Sequence, residues 1–355
     1  MSHAVDQHLS QAVADGIVPG IVALAANAQG VVYSGAFGAM GPNDSRPMRP
    51  ETVFRIASMT KAITAAAAMQ LVEQRRLGLD QPMKEIAGEI GNAQVLTGFA
   101  ADGTPQLRPP RRDVTLRHLL THTSGYSYDL FNANVGRYMA HAGLPSITTC
   151  RYDALRAPLV FDPGERWEYG IGIDWVGRIV EIVSGLELEA YLQRHLLGPL
   201  GMRDTSLGPR ADLVQKLCPV VACYQKPGMF HPQEVAGVAE VVLMEGAEVP
   251  AGGFLTTSAE VHRFATMLGN GGELDGVRVL SPRTLDYCAR NHTGDRRNVL
   301  FDYARDTRGW APWSANIGIG FFERGEGVQP GPLSNFSSPQ TFCGWGAGST
   351  CFWID

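Results

Sequence analysis

Ser58 and Lys61 stand three residues apart in Phe54-Arg55-Ile56-Ala57-Ser58-Met59-Thr60-Lys61. A serine hydroxyl with an amine one helical turn away is a pair able to make and break acyl esters. On one helix face their Cβ atoms lie about 5–6 Å apart, close enough for proton transfer. A serine at the opening of a helix also meets outward-pointing backbone N–H groups, which lend positive potential to a developing oxyanion. Taken alone, the same spacing more often means an N-cap serine and a surface lysine. His118 and His122 offer a second pattern, the i, i+4 spacing of metal ligands on a helix. The glutamate of the metalloprotease motif is missing between them and no third ligand suggests itself, so they read as packed or hydrogen-bonded histidines with no metal. The sequence has neither a G-x-S-x-G elbow nor a G-x-x-x-x-G-K-[ST] phosphate loop.

The elements that must position such a pair are legible in outline. Val5, Leu9 and Val13 predict a short amphipathic helix ending near Gly16. Ile21 to Ala26 and Val31 to Ala36, bridged by Asn27-Ala28-Gln29-Gly30, predict a hairpin in a buried sheet. From Ser58 an alanine-rich pattern through Ile63, Ala67 and Leu71 predicts a long buried helix closing near Arg75-Arg76-Leu77-Gly78. Residues 92–113 are rich in turn formers and read as a surface excursion. Helices are expected at Thr115–Thr121, Asp174–Ser184 and Leu186–Leu196, after an N-cap at Ser258, and after Ser281-Pro282. Thr350 to Ile354 reads as a strand.

The segment around Ser58 resembles the nucleophile segment of the serine β-lactamase and penicillin-binding-protein superfamily. In the same order follow Thr115 to Gly125 with its His122-Thr123-Ser124-Gly125, then Phe161-Asp162-Pro163-Gly164, Pro199 to Thr205, and Ala251-Gly252-Gly253-Phe254-Leu255. These are similar to the class C branch and its esterase relatives over nearly the whole chain. The resemblance implies that Tyr169 fills the tyrosine of the second motif and shares a proton with Lys61, as base toward Ser58 and then as acid toward the leaving group. Ile171 stands where that motif has asparagine, which argues against peptide-like substrates. Trp345-Gly346-Ala347 replaces the usual K-T-G and is similar to the W-G-G of family VIII carboxylesterases. By that likeness Gly348 supplies the second oxyanion N–H beside that of Ser58, and two such donors are worth about 3 kcal/mol or more each. Ile171, Trp345, Gly346 and Ala347 are then expected to line the substrate pocket, with Trp345 an apolar wall where a cation would bind a carboxylate.

The implied fold is α/β (α+β), β-lactamase-like: an antiparallel sheet flanked by helices from residues 1–60 and 240–355, with a mostly helical lobe, residues 61–239, inserted between. Such relatives continue past the third-motif strand with a further strand and a helix, whereas this chain stops at Asp355, so either the sequence is truncated there or an exposed sheet edge is expected. The expected activity is hydrolysis of short-chain carboxylic esters through an acyl-enzyme on Ser58, with no cofactor. The alternatives are acyl transfer by the same machinery, a β-lactamase or DD-peptidase, and last a non-catalytic binding protein.

With 30 Lys plus Arg against 35 Asp plus Glu, the net charge of -5 gives no electrostatic reason for a nucleic-acid or anionic-membrane partner. A small ester is the expected partner. Six scattered cysteines without a C-x-x-C read as reduced thiols, and the absence of a basic-then-apolar leader or an apolar stretch of about 18 residues reads as cytoplasmic.

Overall fold

The computed structural model describes residues 2–224, 237–240, 248–250, 253–299, 315–325 and 337–355, with backbone alone at 2, 222–224 and 237–240. Ala251 and Gly252 of the fifth resembling segment and the Cys223 side chain lie outside the described residues.

Helix α1 (Ser2–Ala14) is followed by Gly16 at φ 68°. Strands β1 (Gly20–Asn27) and β2 (Gly30–Gly41) form the expected hairpin, with Asn27 opposite Gly30 and a register shift at Ala25/Ala26, and β3 (Asp44–Pro47) extends the sheet beyond β2. The expectation that this hairpin is buried is corrected: Val31 and Val32 at its turn end are 52% and 60% exposed. Apolar β-branched residues mark a strand, but burial needs a covering element, and α1 packs against this sheet without shielding its turn.

Strand β4 (Val53–Arg55) leads into a 3-10 turn, Ala57–Met59, and then helix α2 (Thr60–Glu73). Ser58 therefore sits in the turn, and the α-helix proper begins two residues later than its sequence pattern suggests. Every residue of α2 from Thr60 to Leu71 is buried. Its small alanine side chains let neighbours approach on all sides, as a central core helix requires.

Residues 92–113 lie at the surface as read, apart from Val95 and Leu96, and they also hold a hairpin. Strands β5 (Val95–Phe99) and β6 (Pro105–Arg108) pair, and the connection around Asp102-Gly103 and the irregular stretch at 109–112 are the turns that the composition announces. Helix α3 (Leu116–Leu120) is capped by Thr115, whose Oγ1 accepts the His118 N–H. Next come α4 (Ala133–Ala142), α5 (Gly172–Ser184) and α6 (Leu188–Leu192), which runs on into a π turn, Gln193–Leu197. Helix α5 packs against both α2 and α3.

Strand β7 (Ser206–Leu207), helix α7 (Ala211–Val214) and the pair β8 (Val221–Tyr224) and β9 (Gly237–Glu240) precede β10 (Phe254–Thr257), which lies between β4 and β7 in an antiparallel sheet. Helix α8 (Ser258–Gly269) follows directly. Its N-cap is Thr257, not Ser258: Thr257 has extended backbone and its Oγ1 accepts the Glu260 N–H. Both residues suit a cap chemically, so the sequence leaves a one-residue ambiguity that the backbone resolves. After the short ladder of β11 (Glu273–Leu274) with β12 (Val277–Arg278), helix α9 (Pro282–Cys288) begins as read, with Ser281 as cap and proline in the first turn. Strands β13 (Phe322–Glu323), β14 (Phe342–Gly346) and β15 (Thr350–Ile354) form an antiparallel sheet in that order. Helix α8 packs on β1 and on β15, so both ends of the chain share one layer. Cys150, Cys218, Cys288, Cys343 and Cys351 are free thiols. Among the described residues no helix is long and apolar enough to cross a membrane.

Candidate active site

Ser58 is positioned by three strands that close on its turn. From β10, the Phe254 carbonyl accepts the Ile56 N–H at 2.9 Å while the Phe254 N–H donates to Thr60 Oγ1 at 2.8 Å. Ala57, immediately before the serine, is held at φ 43°, a left-handed conformation that costs a residue with a Cβ about 1–3 kcal/mol. Gly253, at φ 75°, lies against it so closely that a Cβ there would come within 2.7 Å of the Ala57 nitrogen and Cα. From β14, Gly346 leaves no room for a Cβ beside the Ile56 carbonyl oxygen, and Thr350 Oγ1 of β15 donates to that oxygen at 3.3 Å. Ser58 remains half-buried between buried Ala57 and Met59.

Lys61 is only 5% exposed. Its Nζ donates to Ser58 Oγ at 3.1 Å and lies 5.4 Å and 5.0 Å from the ring centroids of Tyr128 and Tyr169. An ammonium among aromatic faces is a favourable contact. The two tyrosines differ in their surroundings. Tyr128 donates to Asp174 Oδ2 at 2.9 Å, and burial, then the Asp174 charge, hold its phenol well above the usual range, so it stays a protonated donor. Tyr169 instead lies in a chain of rings: His122 at 4.4 Å, Phe131 at 6.3 Å, and Phe322 at 6.2 Å, which itself stacks on Trp345 at 5.0 Å and 6°.

The structure thus gathers Ser58, Lys61 and Tyr169 around one amine, and brings Trp345 to the same ring array through Phe322. Gly346 abuts the nucleophile turn directly. Ala347 and Gly348 lie in the exposed turn joining β14 to β15, with Gly348 at φ 88°. Ile171 is 1% exposed, packed into the core at the N-terminus of α5. Gly170 and Gly172 on either side of it press against the backbone of Ser127 and of Leu119, where any Cβ would collide.

Neither histidine of the i, i+4 pair presents a free Nδ1. His118 Nδ1 accepts the Thr115 N–H at 3.2 Å, closing its own helix cap, and His122 Nδ1 accepts the Gly170 N–H at 3.4 Å. Tyr128, Phe131, Asp174 and Phe322 escape sequence reasoning, since they come from three separate segments and carry no motif spacing. Two resembling segments turn out to brace the fold. Asp162, fully buried, accepts two N–H bonds from Arg108 at 2.8 and 2.7 Å and one from the Arg111 backbone at 2.8 Å. Thr205 Oγ1 reaches Glu260 Oε2 of α8 at 2.5 Å and Thr256 Oγ1 of β10 at 2.6 Å.

Known proteins share this arrangement of elements. The Beta-lactamase family model matches residues 5–355. The chain is 35% identical to lovastatin esterase of Penicillium rubens over 298 residues, 82% of this chain and 73% of that protein. It is 37% identical to monacolin J acid methylbutanoyltransferase of Aspergillus terreus over 208 residues, 56% of this chain and 50% of that one. Its fold is similar to unliganded simvastatin synthase of Aspergillus terreus, with a TM-score of 0.78 and 26% identity over 99% of this chain and 88% of the other. It is also similar in fold to EstCE1, a hydrolase with promiscuous acyltransferase activity, with a TM-score of 0.72 and 24% identity over 98% and 89%. With a family match over nearly its whole length, sequence relatives named as an esterase and a methylbutanoyltransferase, and the same α/β architecture, this chain belongs to the β-lactamase family.

Proposed function

We propose that the protein cleaves carboxylic esters of short acyl groups through an acyl-enzyme on Ser58, in the manner of the family VIII carboxylesterases. The observation that carries this reading is the 3.1 Å bond between Lys61 Nζ and Ser58 Oγ inside a wall of aromatic rings. Ser58 Oγ attacks the ester carbonyl carbon as its proton passes to the Lys61–Tyr169 pair, and the N–H groups of Ser58 and Gly348 receive the oxyanion. Collapse breaks the carbon–oxygen bond to the alcohol, which leaves with the returned proton. Water, deprotonated by the same pair, then releases the acid.

A second reading is favoured by the relatives. Since a lovastatin esterase and a methylbutanoyltransferase both match this chain, an acceptor alcohol in place of water at the second step gives acyl transfer with no new residue. The rings of Phe131, Tyr169, Phe322 and Trp345 support a substrate with a large apolar body carrying a short acyl group such as methylbutanoyl. Penicillin or peptide chemistry is disfavoured, because Trp345 stands where the third motif would supply a cation.

The test is to label the protein with a fluorophosphonate, map the adduct by mass spectrometry, and compare turnover of p-nitrophenyl butyrate with that of a chromogenic cephalosporin, with and without an added apolar alcohol. An adduct on Ser58 with preferred ester turnover is the expected result, and the alcohol's share of the acyl group separates hydrolysis from transfer. A protein left unlabelled at Ser58 would overturn the mechanism.

A further inference from the structure

We propose that His122 is a positioning residue for Tyr169, fixing the phenol against Lys61 by holding the backbone on both sides of it. The inference deepens the relay reading above and rests on it. The His122 carbonyl accepts the N–H of Glu168 at 3.0 Å, and its ring Nδ1 accepts the N–H of Gly170 at 3.4 Å. The residues immediately before and after Tyr169 are thus tied to a single residue at the end of α3. Between these two bonds the imidazole lies against the Tyr169 ring, centroids 4.4 Å apart and planes 33° from parallel, and meets the Trp167 ring edge-on at 6.2 Å. The segment cannot slide out of this grip, because Gly170 presses on the Ser127 backbone where a Cβ would not fit.

The grip needs a neutral imidazole. Nδ1 is an acceptor only when it carries no proton, and a cationic ring would lose the Gly170 bond and set a second positive charge beside Lys61. Burial, reinforced by the Lys61 charge, keeps His122 far below the usual histidine range, at about 3. The ring's proton accordingly resides on Nε2. His122 itself sits at φ 56°, a conformation that asparagine and glycine tolerate and most residues do not. Asparagine and glycine can therefore replace the ring without straining the chain, whereas phenylalanine adds a backbone strain that thermal melting reads separately from kcat.

The experiment compares His122→Phe, His122→Asn and His122→Gly with Tyr169→Phe and with the double variant His122→Phe/Tyr169→Phe. The readouts are kcat and KM on p-nitrophenyl butyrate, the rate of fluorophosphonate labelling at Ser58, and thermal melting. Phenylalanine keeps a ring and removes the acceptor, asparagine can restore an acceptor oxygen, and glycine removes the side chain while accepting the backbone conformation. We expect His122→Phe to lower kcat about 10-fold with KM within twofold, His122→Asn to recover part of that loss, and the double variant to be no slower than Tyr169→Phe alone. Wild-type kcat in His122→Phe would overturn the proposal, and so would losses that multiply in the double variant. If His122→Phe does not fold, His122→Gly against His122→Asn decides the same question: equal kcat in the two refutes an acceptor role. Full activity in Tyr169→Phe would instead bring down the relay itself, an outcome distinct from a His122 that proves dispensable beside an essential Tyr169.

Discussion

Lys61 is the residue on which the proposed chemistry converges, since its amine meets the Ser58 hydroxyl and two tyrosine faces while almost no water reaches it. Truncating it removes the proton carrier and leaves the nucleophile in place. Lys61→Ala is therefore expected to lower kcat/KM for p-nitrophenyl butyrate by about 10³-fold, the scale of general acid–base catalysis, with melting temperature and circular dichroism as the check that the fold survives. Phe131 makes the complementary case. It is 57% exposed yet in ring contact with Tyr128 and Tyr169, so it stands at the mouth of the array where an apolar substrate would first touch protein. Phe131→Ala should raise KM for a bulky apolar ester about 5-fold, roughly 1 kcal/mol of lost aromatic contact, and leave kcat and the KM of a small acetate ester nearly unchanged.

Among the elements, β10 carries more of the site than its four residues suggest. It pairs with β4, caps α8 through Thr257 and places Gly253 against the strained Ala57. Gly253→Ala puts a Cβ at a left-handed φ and into the turn that holds Ser58. It is expected to destabilise the protein by about 2 kcal/mol or more in urea melts and, in the fraction that folds, to slow fluorophosphonate labelling of Ser58. Elements of this kind separate what the sequence discloses from what it withholds. The Ser58–Lys61 spacing, the β1–β2 hairpin and the Ser281-Pro282 helix start are local, decided by residues within a few positions of one another, and each was legible. Tyr128 meets Asp174, and Phe322 meets Tyr169 and Trp345, across stretches of chain that nothing in their own neighbourhoods announces. The His118–His122 spacing was visible but its use was not, because α3 ends at Leu120 and His122 stands beyond the helix at φ 56°, where the i, i+4 relation no longer sets a shared face. The Asp102 turn illustrates the same limit, since its residues declared themselves and the two strands that it joins did not.

For the molecule as a whole, Asp162 ties the β5–β6 hairpin and the Arg111 backbone to the segment leading to Tyr169. The Arg108 hydrogen bonds chiefly, and those from Arg111 after them, hold its carboxyl down from 3.8 to about 2. A carboxylate whose folded-state value is depressed adds stability that is present above its unfolded value and is lost as pH falls through the folded one. The stability difference between wild type and Asp162→Asn, measured by urea unfolding, should thus be steady from pH 6 down to about 4 and shrink between about 4 and 2. A difference that stayed constant across that window would mean that the charge of Asp162 is not what binds these segments.

Helix α2, buried on every side from Thr60 to Leu71, begins two residues after the nucleophile and contains Lys61. A helix so enclosed cannot form its contacts piecemeal, so the chain acquires its catalytic pair in the same event that packs its interior. Turnover then serves as a gauge of global folding: along a urea titration, ester hydrolysis and tryptophan fluorescence should fade at one midpoint, leaving no compact species that is loosened inside yet still turns over substrate.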